Sequence, residues 1–171
     1  MNLHLLAAEN FNSCNFYDCI YLQEPYGFTW GKDSPHWISR DVVETHIAFR
    51  LEMEIFEEFD KLFKSFNFYD EYGVTDFTGE HAKRLSELFL EEKTNVLAYS
   101  DDAFKKRFKY LFELIHDEDF LVAFDAKNEI TLVRQDIITI IDAFIYYLNK
   151  TVAENKSFTI VGIYYSPKKQ T

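Results

Sequence analysis

DVVETHIAFRLEMEIFEEFDKLFKSF, residues 41–66, is the stretch on which the fold turns. Val43, Ile47, Leu51, Ile55, Phe59, Leu62 and Phe66 recur at steps of four or three, which is one face of an α-helix. Asp41 with Glu44 three residues on resembles a capping box, so the spacing predicts one long helix from Asp41 to Phe66. On that helix Glu54, Glu57, Glu58 and Asp60 lie off the apolar row and form an exposed acidic face.

Outward on the N-terminal side, FYDCIYL at 16–22 is rich in aromatic and β-branched residues and precedes the turn-like EPYG, which predicts a strand. Ser34 and Pro35 in DSPHW suit the start of a further short helix. On the C-terminal side comes SFNFYDEYGVTDFTG, residues 65–79, with five aromatic rings, three acids and no lysine or arginine. Gly73 and Gly79 mark it as a connection. A second helix is predicted from Glu80 to Lys93 with Ala82, Leu85, Leu88 and Phe89 inward. Ser100 caps a third, where Asp101 and Asp102 complement the positive helix end.

FLVAF (120–124) and ITLV (130–133) around DAKNE read as a hairpin. Ile137, Ile141, Phe144, Ile145, Leu148 and Val152 mark a fourth helix, apolar on most sides and therefore central. FTIVGIYY (158–165) closes the chain as a strand that pairs with FYDCIYL. The expectation is a single α+β domain spanning 1–171: about four helices on a small, largely antiparallel sheet.

Bulk composition narrows the function classes. With 171 residues, 47% hydrophobic and 18% aromatic content, the chain can bury a core without disulfide or metal support. A net charge of −11 argues against nucleic acid or an anionic membrane surface as partner and permits a basic protein. Cys14 and Cys19 lack CxxC spacing and read as reduced thiols, in keeping with a cytoplasmic protein. MNLHLLAAEN has no signal-peptide pattern, and IITIIDAFIYYL is too short to span a bilayer.

The charge is uneven. Residues 41–76 hold ten acids and three bases, net −7, and residues 111–136 are net −5. Residues 77–110 are net +1 and include KKRFK at 105–109, whose Lys105, Lys106 and Lys109 could touch phosphate.

Chemical signatures are sparse. The glycines match neither GxGxxG nor a P-loop, and no GxSxG elbow or Cys–His context is present. HDED at 116–119 concentrates oxygen donors without EF-hand spacing and carries the alternative reading, a small metal-dependent enzyme. WGKDSPHW, with Trp30 and Trp37, reads as core rather than pocket. A structural or oligomeric component is the third reading. The leading expectation is a non-catalytic module without cofactor or metal, plausible as an immunity or inhibitor protein that docks a basic partner such as a toxin nuclease. Its surface is Glu54, Glu57, Glu58, Asp60, Tyr69, Asp70, Glu71 and Tyr72, where rings anchor and carboxylates steer.

Overall fold

The computed structural model describes residues 1–7, 16–22, 47–115 and 126–162. Within them the fold is α+β, a four-stranded antiparallel sheet packed against helices. The strands are β1 (Phe16–Leu22), β2 (Ile47–Glu52), β3 (Val74–Phe77) and β4 (Ser157–Val161). They lie in the order β2-β1-β4-β3. The expected pairing of the two distant strands is present: Cys19 faces Ile160 and Tyr21 faces Phe158 in the β1–β4 register. Pairing across the whole chain places β1 and β4 at the centre and leaves β2 and β3 outermost.

The long helix over 41–66 is corrected. Residues 41–46 lie outside the described segments, and 47–52 form β2. Ile47, Phe49 and Leu51 fit a two-residue step, while Ile47 and Leu51 also fit the four-step row, and the two-residue step wins. Pairing with β1, Leu51 opposite Tyr17 and Phe49 opposite Cys19, sends Phe49 and Leu51 into the core. Helix geometry starts only at α1 (Met53–Glu57), breaks at Glu58–Phe59 and resumes as α2 (Asp60–Phe63). From Ile55 onward the predicted row holds: Ile55, Phe59 and Leu62 are buried and Phe66 packs against the core.

Helices α3 (Gly79–Ala98), α4 (Asp101–Arg107) and α5 (Lys109–Ile115) follow. Ser100 caps α4 as expected, its hydroxyl accepting from the Ala103 N–H at 3.3 Å. ITLV is not a strand. It lies within α6, Ala126–Glu154, because Ile130, Val133, Ile137, Ile140, Ile141, Phe144 and Leu148 continue one helical stripe into the core. Residues 126–129 of the expected hairpin loop are likewise helical, the first turn of α6, while FLVAF, WGKDSPHW and HDED lie outside the described residues. Val152, expected inward, is partly exposed at the end of α6. The helix stops at Asn155, whose φ of 51° is the left-handed conformation that asparagine tolerates.

Helices α3 and α6 run antiparallel, with Ser86 beside Asn149 and Lys93 beside Asp142. Arg134 of α6 donates to the Val96 and Tyr99 carbonyls at 2.6 and 3.0 Å and to Asp101 at 3.0 Å, and lies 4.3 Å above the Phe104 ring. One guanidinium thus satisfies carbonyls at the end of α3 and fixes the corner to α4. Phe144 is the hub of the core. Its ring stacks on Phe89 at 4.3 Å and meets Phe49, Phe63, Phe59 and Phe158 edge-on or tilted at 4.9–6.1 Å.

Candidate functional site

Breaking the helix at Glu58–Phe59 redistributes the acidic residues. Glu58 turns toward α3 and α4, where its carboxylate accepts from Arg107 Nη1 at 2.7 Å. Arg107 Nη2 reaches the Glu58 carbonyl at 2.8 Å and Glu92 at 3.2 Å, and Lys61 also binds Glu92. Glu92 is 4% exposed, so this four-residue ionic knot is an internal staple between α1, α2, α3 and α4. Burial pushes the Glu58 carboxyl up, while its bonds to Arg107 oppose the shift.

Asp70 also has a local job. Its Oδ1 accepts from the Tyr72 N–H at 3.0 Å, and its own N–H donates to the Thr75 hydroxyl at 3.0 Å, an Asx turn that sets the 70–73 loop. The loop is pressed on the end of β4, where the Gly162 N–H donates to the Gly73 carbonyl at 2.8 Å.

The other six predicted residues converge. Asp60 and Glu71 share the Lys64 ammonium at 2.5 and 2.7 Å, joining α2 to the loop. Glu57 is exposed beside them, and its carboxyl is pushed up by partial burial and then by the charges of Glu54 and Asp60, which Lys64 only partly offsets. Glu54 is half-buried, with one carboxylate oxygen that meets no hydrogen-bond partner among the described residues. Tyr72, 69% exposed, stands at the rim and bonds Glu71, which raises the phenol; the Glu71 carboxyl is held below its ordinary range by Lys64 first and by Tyr72 second.

Tyr69 is a lid on the core more than a free surface ring. It is half-buried, 5.5 Å from Phe63, with its hydroxyl buried near Asp60 without a well-shaped hydrogen bond. Burial and then the neighbouring Tyr17, Asp60 and Glu71 push its phenol strongly up.

Sequence reasoning missed two members. Tyr17 of β1 stacks on Phe56 at 3.9 Å, and its phenol is pushed up to about 12 by burial and by Asp60, Glu71 and Glu57. Only the β1–β2 pairing brings it here, opposite Leu51 and one residue from α1. Lys64 was legible, four residues after Asp60 on a helical segment.

The result is four carboxylates, three phenols and one ammonium in one patch. All three phenols are pushed up, Tyr17 and Tyr69 chiefly by burial and Tyr72 by its hydrogen bond to Glu71. Among the described residues no group of three or more His, Cys, Asp or Glu is placed to hold a metal ion. Of KKRFK, Arg107 sits in the ionic knot and Lys105 lies 5.7 Å from the Phe112 ring, while Lys106 and Lys109 are exposed, Lys109 beside Glu113 at 3.1 Å. No helix among the described residues is long and apolar enough to cross a membrane. No protein-family model matches the chain, and no curated protein or solved structure matches it either.

Proposed function

We propose that the chain is a non-catalytic binding module whose acid and tyrosine patch docks a basic protein, in the manner of a cytoplasmic immunity or inhibitor protein acting on a toxin such as a nuclease. The observation that carries this reading is the crowding of Glu54, Glu57, Asp60 and Glu71 around one lysine that pairs with only Asp60 and Glu71, with Tyr72 exposed at the edge. Carboxylates that repel one another gain most when a cation arrives, and the excess negative field steers a cationic partner to the patch. Tyr72 then supplies the rigid amphipathic contact favoured at interfaces. The module would act by covering a basic surface, with no bond made or broken.

The test places a photo-crosslinking residue at Tyr72 in the source cells, identifies the captured protein, and measures its association rate across a salt series. The expected capture has a basic contact face, binds more slowly as salt rises, and loses roughly tenfold or more in association rate against Glu57→Lys at low salt. An acidic captured protein, or a rate indifferent both to salt and to Glu57→Lys, overturns the reading.

A further inference from the structure

Asp136 lies in the buried stripe of α6 between Val133 and Ile137 and is fully buried. A carboxylate in such a place is costly unless it is matched by donors. Its donors come from one short segment at the other end of the chain. The His4 N–H reaches Oδ1 and Oδ2 at 2.8 and 2.9 Å, the Leu5 N–H reaches Oδ2 at 2.7 Å, and the Leu6 N–H reaches Oδ2 at 2.9 Å. Leu5 and Leu6 are buried beside it, while Met1, Asn2 and His4 face solvent.

We infer that residues 1–7 form a detachable strap, latched on α6 by the three consecutive backbone N–H groups of His4, Leu5 and Leu6 on the Asp136 carboxylate. The segment belongs to neither a helix nor the sheet ladder, so no secondary-structure hydrogen bonds must break when it leaves. The latch grips backbone, which makes it indifferent to the exposed His4 side chain and specific for a run of free N–H groups. An apolar residue at 136 would leave a dry hollow when the strap lifts. The carboxylate instead leaves a position that water can solvate, which makes local opening easier than it would be over a wholly apolar seat. Opening uncovers the Asp136 acceptor and the apolar surface under Leu5 and Leu6.

Native-state hydrogen exchange on the full chain tests the latch. The amides of His4, Leu5 and Leu6, corrected for intrinsic rates, should exchange through an opening separate from that of the Ile137–Ile141 amides and insensitive to low denaturant. In Asp136→Asn, strap exchange should accelerate by about tenfold or more, the effect of losing one charge-assisted hydrogen bond, and α6 amides that exchange by global unfolding should accelerate by the same factor, so that the gap between the two openings is kept. Exchange of strap and α6 together at the global rate in the wild type overturns the inference, as does a folded Asp136→Asn with unchanged strap exchange. If Asp136→Asn does not fold, the wild-type comparison decides alone.

Discussion

Gly162→Ala probes the joint on which the patch depends. A Cβ at residue 162 would sit 2.3 Å from the Glu71 carbonyl oxygen, 2.9 Å from the Glu71 carbonyl carbon and 3.1 Å from the Gly73 oxygen. These are backbone atoms, so no side chain can rotate away and the 71–73 loop must retreat by about 1 Å to restore ordinary contact. Overpacking of this kind costs about 1–3 kcal/mol. The hydrogen bond from Gly162 to Gly73 stretches or breaks in the same movement, adding about 1 kcal/mol. The expected loss is about 3 kcal/mol, or roughly 6–12 °C in Tm for a chain of this size. Urea titration and thermal unfolding give the number. Gly79→Ala is the control: its Cβ would meet nothing within 4 Å, but φ is +48°, so it should lose only about 1 kcal/mol, from backbone strain. A Gly162→Ala protein as stable as wild type would refute the close approach, and with it the account of how Glu71 and Tyr72 are held.

Arg107→Leu should cost about 3 kcal/mol by urea denaturation, because Glu58 and Glu92 lose their shared partner in a mostly buried setting; a loss below about 1 kcal/mol would mean that water replaces the guanidinium. Glu57 has the opposite sign. Its folded pKa lies above its ordinary 4.5, so between those values the native state holds more proton than the unfolded chain and stability falls as pH rises through that window. Glu57→Gln should therefore be more stable than wild type above the window, by about 0.5 kcal/mol for so exposed a group, with the gain vanishing below pH 4.5. Thermal melts at neutral and acidic pH check it; a variant that loses stability at neutral pH would contradict the crowding.

Local chemistry made some of this legible and hid the rest. FYDCIYL and the FTIV of FTIVGIYY were readable because aromatic and β-branched residues fill them, residues 163–165 lying outside the described segments, and the Ser100 cap because it precedes two acids on a helix start. Residues 47–52 were ambiguous in kind. Ile47 and Leu51 satisfy a four-residue step and, with Phe49 between, a two-residue step, and only the presence of a strand partner decides between them. ITLV misled for the converse reason: its β-branched residues favour a strand, but Ile130 and Val133 face the core from α6. The candidate patch was visible as composition, while its division was not. Glu58 and Asp70 look like their neighbours in sequence, and what separates them is the position of Arg107, 49 residues away, and of the Tyr72 amide.

That division bears on function through stability. Several carboxylates among the described residues staple elements together, each with a donor: Glu58 and Glu92 have Arg107, Asp136 has the strap, Asp101 has Arg134. The patch departs from this pattern. Asp60 and Glu71 share Lys64, while Glu57 is raised by the very neighbours that Lys64 fails to neutralise. One lysine or glutamine at 57 would relieve the repulsion without disturbing a buried contact, since Glu57 is exposed. Destabilising charge that the fold neither buries nor pairs is the form a binding surface takes when activity is traded against stability. The same substitution therefore separates the two roles: Glu57→Gln should gain stability and lose association rate, whereas an acidic surface that serves solubility alone would gain stability and lose nothing.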